Sequence, residues 1–332
     1  MKGALAHRAS TRRRFLKWTA GIAVGGTVAG AIALRYGRAP IRVASHHWPG
    51  YEFMFLARDR GWLPATDVTF LETRTLEESH AAFREGRADA ATLTLDQVIE
   101  AADGGMGVTV VLVFDVSAGA DAVFARAPIL KLADLKGRRI GAEPNALGRL
   151  MTGKVLAVGG LRREDIVLVP LSGPHDAQWQ AGTLDAIVTY EPYASMIEAG
   201  GAVRLFDSRD MPQTIFDVLA VRTDRLTGRA AQIQTLVRGH FRALEAWNTN
   251  PIDTAYRLSR HHAMSADAVA AQFRGLALPD IDHNRHLLGA PAAELHQALE
   301  EIRVALEMPA ATRRRLVAHL RFEPTYLPAT PP

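Results

Sequence analysis

The sequence contains no cysteine. This absence excludes disulfide bonds, thiolate metal sites, a cysteine nucleophile and anchoring through a lipid-modified N-terminal cysteine. Acidic residues are absent as well from the first 38 positions, which hold eight lysines and arginines. The rest of the chain has 31 basic and 35 acidic residues, a net charge of −4. Because binding to phosphate backbones needs a basic surface, nucleic acid is not expected as a partner.

The first 38 residues have the layout of an export signal. A basic cluster precedes an uncharged run over residues 18–34 that is rich in alanine and glycine, as in a secretory signal. The segment Ser10–Lys17 (STRRRFLK) closely resembles the twin-arginine export consensus, and residues 31–33 (AIA) offer a cleavage site. The alternative is a membrane anchor, for which 17 residues is at the short end. Either way the body is expected in the periplasm, after export by the twin-arginine machinery and with a possible tether to the inner membrane.

From Ile41 onward, strand and helix patterns alternate. Short apolar runs such as Val108–Phe114 are rich in β-branched residues and predict buried parallel strands. Helices that end at glycine separate these runs, so the pattern predicts parallel α/β sheets. The series restarts after about residue 130, and beyond Asp224 the chain is predicted to be helical up to a loose, proline-rich tail.

Two segments of the chain share one local pattern. Gly86–Thr92 (GRADAAT) lines up with Gly182–Val188 (GTLDAIV): in each, a helix ends at glycine, aspartate opens a strand and alanine follows. Each strand then ends in polar residues, Thr94 and Asp96 in the first and Tyr190-Glu191 in the second. Ligands of open α/β sheets lie beyond the carboxyl ends of the strands. Two similar half-sheets with facing strand ends therefore predict a cleft.

A series of motifs runs in order from about Ile41 to about Leu288. The motifs are WPGYE (48–52), FLAR (55–58), GWL (61–63), GRADA (86–90), DVSAGAD (115–121), DLKGRRIG (134–141), GTLDA (182–186) and YEPY (190–193). Together they resemble the periplasmic solute-binding proteins of ABC importers for nitrate, sulfonates, taurine and thiamine-pyrimidine precursors. The order and spacing of the motifs carry this resemblance.

The resemblance implies a type II periplasmic binding-protein fold, in which two α/β lobes joined by a two-strand hinge enclose a cleft. The crossings are expected near residues 122–127 and 221–225. Lobe one would then hold residues 41–124 and 225–332, and lobe two residues 125–224, after a signal or anchor over residues 1–38.

The function implied by the resemblance is an extracytoplasmic receptor of an ABC importer, not an enzyme. It would bind a small organic molecule or an oxyanion (a sulfonate, nitrate, taurine or a pyrimidine-like solute) by hinge closure. The expected partners are that ligand and an ABC permease in the inner membrane. The protein is expected to act as a monomer and to need no cofactor.

The predicted ligand contacts lie on the loops that follow the strands. They are Trp48, Gly50, Tyr51, Thr94, Asp96, Asp115, Ser117, Asn145, Ala146, Glu191 and Tyr193. Trp48 and Tyr51 can stack on a ligand, although Trp48 can instead pack inside lobe one. Asp96 is alternatively a helix cap, and Asp115 is alternatively a hydrogen-bond acceptor in the hinge.

Two observations bear on the charge of the ligand. The turn over residues 143–148 (EPNALG) opens a helix, and helix N-termini bind anions readily. However, Asn145 stands where the resemblance leads one to expect a small hydroxyl residue for a sulfonate or nitrate ligand. Asp96, Asp115 and Glu191 together favour a ligand with N–H donors or positive charge, because an inward carboxylate repels an anion.

The sequence leaves other interpretations open. The histidines at 46–47, 261–262, 283 and 286 match no standard metal-binding spacing, so surface histidines are expected. The glycines at 104, 105 and 107 lack the lysine and serine of a P-loop and predict a turn. An enzyme similar to the thiamine-pyrimidine synthase is one alternative function, although that relative has a cysteine-rich segment that this chain lacks. A membrane-tethered periplasmic sensor is the other.

Overall fold

The structure is a computed structural model that describes residues 39–260 and 264–330. The predicted export signal and the pair His261-His262 lie outside the described residues. The strands are β1 (Ile41–Ser45), β2 (Val68–Glu72), β3 (Ala90–Thr94), β4 (Val108–Ser117), β5 (Asp121–Ala125), β6 (Arg139–Ala142), β7 (Val167–Pro170), β8 (Ala186–Tyr190), β9 (Val203–Asp207), β10 (Phe216–Arg222), β11 (Leu276–Ala277) and β12 (Leu320–Phe322).

Helices connect these strands. The α-helices are α1 (Glu52–Asp59), α2 (Leu76–Arg84), α3 (Leu95–Asp103), α4 (Ala146–Gly159), α5 (His175–Gln180), α6 (Tyr193–Ala199), α7 (Ala230–Thr249), α8 (Pro251–Ser259), α9 (Ala266–Gln272), α10 (Ile281–Leu288), α11 (Ala293–Ala305) and α12 (Ala310–His319). Short 3₁₀ turns lie at Pro49–Tyr51, Leu132–Leu135, Arg163–Asp165, Ser208–Asp210, Thr223–Arg225, Phe273–Gly275 and Pro324–Tyr326. No helix in the described ranges is both long enough and apolar enough to span a bilayer.

The strands form two sheets, and each sheet with its helices is one lobe. The first sheet has the order β11-β4-β10-β3-β1-β2, with β12 also on β4, and the second has the order β7-β6-β8-β5-β9. Both sheets are mixed, whereas the sequence pattern predicted parallel ones. The reason is that β5 and β10, which follow the two crossings, run antiparallel to the strands beside them.

The crossings lie earlier in the chain than predicted. Because β5 pairs in the second sheet, the first crossing falls between Ser117 and Asp121 rather than over residues 122–127. Because β10 pairs in the first sheet, the second crossing falls between Asp207 and Phe216 rather than over residues 221–225. The apolar pattern of β10 predicts a strand correctly, but it does not indicate which sheet the strand joins.

The first sheet carries helices on both faces. Phe53 of α1 and Val237 of α7 pack with Phe114 on one face. Residues of α2, α3 and α11 belong to a larger core on the other face that continues into the second lobe. This burial on both faces explains why the central strand β4 reads as an almost unbroken apolar run.

The C-terminal part differs from its prediction in two places. The helix predicted over residues 291–308 is present as α11, but the helix α10 before it was not predicted. The tail over residues 324–332 was expected to be loose, yet it begins with a 3₁₀ turn directly after the strand β12. Tyr326 and Leu327 pack against the core, and Arg285 Nη2 donates to the carbonyl oxygen of Ala329 at 2.8 Å. These contacts hold the tail against the rest of the protein despite its proline-rich composition.

Candidate ligand-binding cleft

A cleft of about 520 Å³ lies between the two lobes. The first lobe contributes His46, His47, Trp48, Pro49, Arg74, Thr75, Glu78 and Gln272, and the second contributes Glu143, Gly173, Pro174, Tyr190, Pro192 and Tyr193. This volume is within the range of about 300–1,000 Å³ that is typical of small-molecule sites. A much smaller space of about 20 Å³ lies between the lobes as well, and His46, Trp48 and Tyr190 line both.

The position of the cleft follows from the direction of the strands. β1 ends at Ser45, directly before His46; β6 ends at Ala142, directly before Glu143; and β8 ends at Tyr190. The carboxyl ends of parallel strands meet at one edge of a sheet, where the following loops form a crevice. The aromatic residues Tyr190 and Tyr193, at and just after the end of β8, therefore lie at the cleft, between the two half-sheets.

Trp48 packs inside the first lobe and also lines the cleft. It is only 5% exposed, yet its ring lines the cleft and lies 6.2 Å from the ring of Tyr190 across the lobe boundary. Its Nε1 donates to Asp115 Oδ2 at 3.0 Å. Gly50 allows this contact, because a Cβ at that position would lie 1.7 Å from Asp115 Oδ2. Gly50 is thus placed for packing and does not line the cleft.

Beneath Trp48, two aspartates face each other. Asp115 and Asp217 are opposite partners in the antiparallel ladder of β4 and β10, and both are fully buried. Burial raises the pKa of Asp115 to about 8 and that of Asp217 well above its ordinary value. The charge of Asp115 raises the pKa of Asp217 further, whereas the hydrogen bond with Asp217 lowers the pKa of Asp115. Tyr51, which is also fully buried, donates its hydroxyl to Asp217. Neither Asp115 nor Tyr51 lines the cleft, so the alternative of a hinge acceptor fits Asp115.

Ser117 belongs to the crossing rather than to the cleft. Its hydroxyl pairs with that of Ser208 at 2.8 Å and accepts from the backbone N–H of Asp121 at 3.2 Å. Ser208 also accepts from the backbone N–H of Gly119 at 2.6 Å. Ser117 and Gly119 lie at the first crossing and Ser208 at the second, so these bonds join the two crossings.

The polar residues at the end of β3 are buried next to the start of α3. Asp96 is in the first turn of that helix and is 1% exposed, and burial raises its pKa to about 7. It lies at the start of the helix and does not line the cleft, and its ligand contact stays a prediction. Thr94 lines the small space between the lobes, beside Asp121 and Asp217.

The start of α4 uses Asn145 as its cap. The Oδ1 of Asn145 accepts from the backbone N–H of Gly148 at 2.8 Å, while its Nδ2 donates to Glu143 Oε2 at 2.6 Å. Ala146 is fully buried. Neither Asn145 nor Ala146 lines the cleft. The side chain that reaches the cleft from this turn is Glu143.

Glu191 and Tyr193 differ in their roles. The carboxylate of Glu191 accepts from the backbone N–H of Ser195 at 3.1 Å and from its hydroxyl at 2.9 Å, which caps α6. Glu191 does not line the cleft, whereas Tyr193 does, with its ring 5.0 Å from that of His175. A carboxylate that can bond the first turn of its own helix is drawn away from the cavity.

Glu143 is the charged group that the prediction missed. Its Oε1 accepts from the Tyr190 hydroxyl at 2.9 Å and from His175 Nε2 at 3.2 Å, and its Oε2 accepts from Asn145. Burial alone would raise the pKa of Glu143, but these hydrogen bonds outweigh it and lower the pKa. The cleft therefore holds an ionised carboxylate. The sequence indicated Glu143 only through its position directly after β6, two residues before the predicted contacts Asn145 and Ala146.

His175 holds the Glu143 carboxylate in place from behind. Its Nδ1 lies 3.0 Å from the hydroxyl of Thr189, on β8. Since a carboxylate only accepts, His175 Nε2 carries a proton, and the Thr189 hydroxyl can donate to a neutral Nδ1. The ring is fixed by both contacts, and with it the position of the carboxylate.

His46 is another buried polar side chain that lines the cleft. It is 6% exposed, and its Nδ1 has no hydrogen-bond partner among the described residues. Burial lowers its pKa to about 4, so the ring is neutral at pH 7. The described part of the chain contains no group of three or more histidine and acidic side chains that could hold a metal ion. His46 thus presents an unpaired ring nitrogen at the cleft.

The two lobes and the cleft between them define the periplasmic binding-protein fold. The chain belongs to the NMT1/THI5-like family, whose model matches residues 48–254. A search of curated proteins finds no match.

Solved structures show the same fold. The alkanesulfonate-binding protein SsuA from Xanthomonas axonopodis pv. citri, bound to MOPS, is 18% identical with a TM-score of 0.66, over 85% of this chain and 98% of that one. The periplasmic aliphatic sulphonate binding protein SsuA from Escherichia coli is 20% identical with a TM-score of 0.64, over 83% and 97%. The desulfurization enzyme DSZB is 18% identical with a TM-score of 0.58, over 86% and 97%. The fold therefore supports binding and, in one relative, catalysis.

Proposed function

We propose that this protein is a periplasmic solute-binding receptor of an ABC importer, which holds one small organic molecule between its lobes. The observation that carries the proposal is the interlobe cleft of about 520 Å³ at the carboxyl ends of the strands. The membership of the family and the likeness to sulfonate-binding receptors support it. Sulfonates, taurine, nitrate and pyrimidine-like solutes are the first candidates for the ligand.

The mechanism we propose is closure about the two crossings. Trp48 belongs to the first lobe, whereas Glu143, Tyr190 and Tyr193 belong to the second. A ligand that contacts both sets of side chains binds the closed form more tightly than the open form and shifts the population towards it. The closed receptor would then deliver the ligand to a membrane permease. Export of the folded monomer by the twin-arginine route fits this role, because the cleft would be complete before export.

The test is a thermal-shift screen of the full-length protein against alkyl and aryl sulfonates, taurine, nitrate, pyrimidines and amines. A ligand present at 100 times its dissociation constant adds about 2.7 kcal/mol of stability. Small-angle X-ray scattering on the same samples reports closure as a smaller radius of gyration. Tyr193→Ala removes a ring that lines the cleft and is expected to reduce the thermal shift of the ligand at least by half.

Tyr256→Ala is the matched control, since Tyr256 is 62% exposed on α8 and does not line the cleft. It is expected to leave both the thermal shift and the closure unchanged. A ligand that stabilises the protein without closing it, or one whose effect survives Tyr193→Ala, would contradict the receptor proposal.

A further inference from the structure

The helix starts around the cleft are already occupied by side chains of the protein. At α2, Thr75 Oγ1 accepts from the backbone N–H of Glu78 at 3.2 Å, and Glu78 accepts in return from the backbone N–H of Arg74 at 2.9 Å. At α4 the cap is Asn145, and at α6 it is Glu191. An anion bound at a helix start needs free N–H groups. These three starts offer fewer of them than an uncapped helix would.

The start of α5 also disfavours an anion. Pro174 precedes this six-residue helix and has no N–H to donate, and Asp176 adds a negative charge to its first turn. The charge of Asp176 opposes a bound anion, whereas the caps of the other helices oppose it by occupying N–H groups.

The basic side chains at the cleft each have an acidic partner. Arg74, whose side chain is 88% exposed, bonds Glu78 with an Nη2–Oε1 distance of 2.6 Å. His47 Nδ1 lies 2.7 Å from Glu52 Oε1, and this bond raises the pKa of the histidine. The positive charges at the rim are thus balanced within the protein.

The acidic side chain Glu143 differs from these basic side chains, because it is bonded only to neutral donors and a histidine. Its Oε2 accepts a single bond, from Asn145, and a carboxylate oxygen can accept two. Asp121, at the first position of β5, lines the small space between the lobes. His46 adds an unpaired, buried ring nitrogen at the same place. Glu143 therefore offers an ionised carboxylate oxygen with room for a further donor at the cleft.

Aromatic rings complete the site. The rings of Trp48, Tyr190 and Tyr193 form a chain across the cleft, with centroids 6.2 Å and 6.1 Å apart. Faces of tryptophan and tyrosine attract cations within about 6 Å. The aromatic rings and the Glu143 carboxylate therefore both favour a positively charged ligand.

We propose that the cleft is selective for a small organic cation bearing N–H groups, an ammonium, amidinium or guanidinium, with its charge on Glu143 and its body on Trp48 and Tyr193. This inference rests on the proposed receptor function and specifies the ligand class. It separates this chain from relatives that bind sulfonates, whose ligands carry the opposite charge.

The test uses pairs of probes that share a body and differ in charge: benzamidine with benzoate, phenylguanidine with benzenesulfonate, and butylamine with butanesulfonate. Isothermal titration calorimetry on the full-length protein at pH 7 measures each affinity. The cationic member is expected to bind at least tenfold more tightly in one or more pairs, and its affinity is expected to fall as salt is added. Tighter binding of an anionic member, or no difference within any pair, would overturn the inference.

Glu143→Gln is expected to lower the affinity for the cation at least tenfold and to remove its salt dependence. Glu164→Gln, the same change on an exposed residue of the second lobe, is expected to alter neither. Circular dichroism checks that both variants fold, and the salt dependence of the wild-type protein tests the charge without any substitution. Scattering on the complexes separates the two proposals. Closure around an anion supports the receptor and refutes the cation, whereas a cation bound without closure refutes the receptor alone.

Discussion

Replacing Gly50 by alanine tests the packing beneath the cleft most directly. The new Cβ would lie 1.7 Å from Asp115 Oδ2 and 3.3 Å from Trp48 Nε1, so the bond between these two side chains cannot persist in its present geometry. Gly50 does not have a positive φ, so alanine is not opposed by its backbone conformation. The effect is therefore steric and polar.

The expected loss has two parts. Forcing an extra methyl group into a packed interior costs about 1–3 kcal/mol. Leaving the buried indole N–H of Trp48 without its acceptor costs about 1–3 kcal/mol more. We expect Gly50→Ala to lower the free energy of unfolding by about 3 kcal/mol. Urea denaturation followed by tryptophan fluorescence measures this change.

Two further variants make the reasoning refutable. In an Asp115→Ala background the obstructing carboxyl is gone, so Gly50→Ala should cost less than about 1 kcal/mol there, which is a coupling of about 2 kcal/mol. Gly153→Ala is the matched control. Gly153 lies inside α4, and the atom nearest to the new Cβ would be 3.7 Å away. Alanine in a helix interior raises the free energy of unfolding by about 0.5–1 kcal/mol relative to glycine. An equal cost of Gly50→Ala in both backgrounds would refute the steric account.

Two pH-dependent predictions concern buried titratable groups. Burial raises the pKa of Asp121 to about 7, so the stability that its protonated form contributes is complete below pH 4 and is lost as pH rises to 7. Asp121→Asn should therefore gain melting temperature relative to wild type between pH 5 and pH 8, and a constant difference would contradict this. Burial lowers the pKa of His240 to about 3, so stability is lost as pH falls below 6.5. His240→Phe should raise the free energy of unfolding by about 1 kcal/mol or more, because both ring nitrogens of His240 are unpaired among phenylalanines. Urea titrations at pH 7.5 and pH 5 measure this gain, which should be larger at pH 5.

The sequence predicted the local elements well because each depends on nearby residues. The apolar pattern predicts strands over Ile41–Ser45 and Phe216–Arg222, which have these bounds in the structure. It predicts a helix over residues 147–159, and α4 begins one residue earlier. Sheet membership depends on pairing between residues far apart in the chain. For this reason β5 was missed as a strand and β10 was assigned to the wrong lobe. The fold itself was predicted through the resemblance of the ordered motifs.

The site was predicted at the level of loops rather than of side chains. Position alone indicated that the residues after β1, β6 and β8 would border the cleft, and Trp48 and Tyr193 do line it. Which side chain turns inward depends on partners that the local sequence does not show. Asp115 turns towards Trp48 and Asp217, and Glu191 turns towards the start of its own helix, whereas Glu143 was overlooked although it borders the cavity.

The hydroxyl pair of Ser117 and Ser208 ties one crossing to the other. Two hinge segments that are bonded together move as one unit, so rotation about a single hinge axis describes how far the lobes have closed. That geometry suits an optical reporter, because one dye-to-dye distance across the rim would read out the whole motion. Since the natural chain has no thiol, two cysteines introduced at the rim would be the only attachment points, and the protein could be labelled without removing any residue of its own.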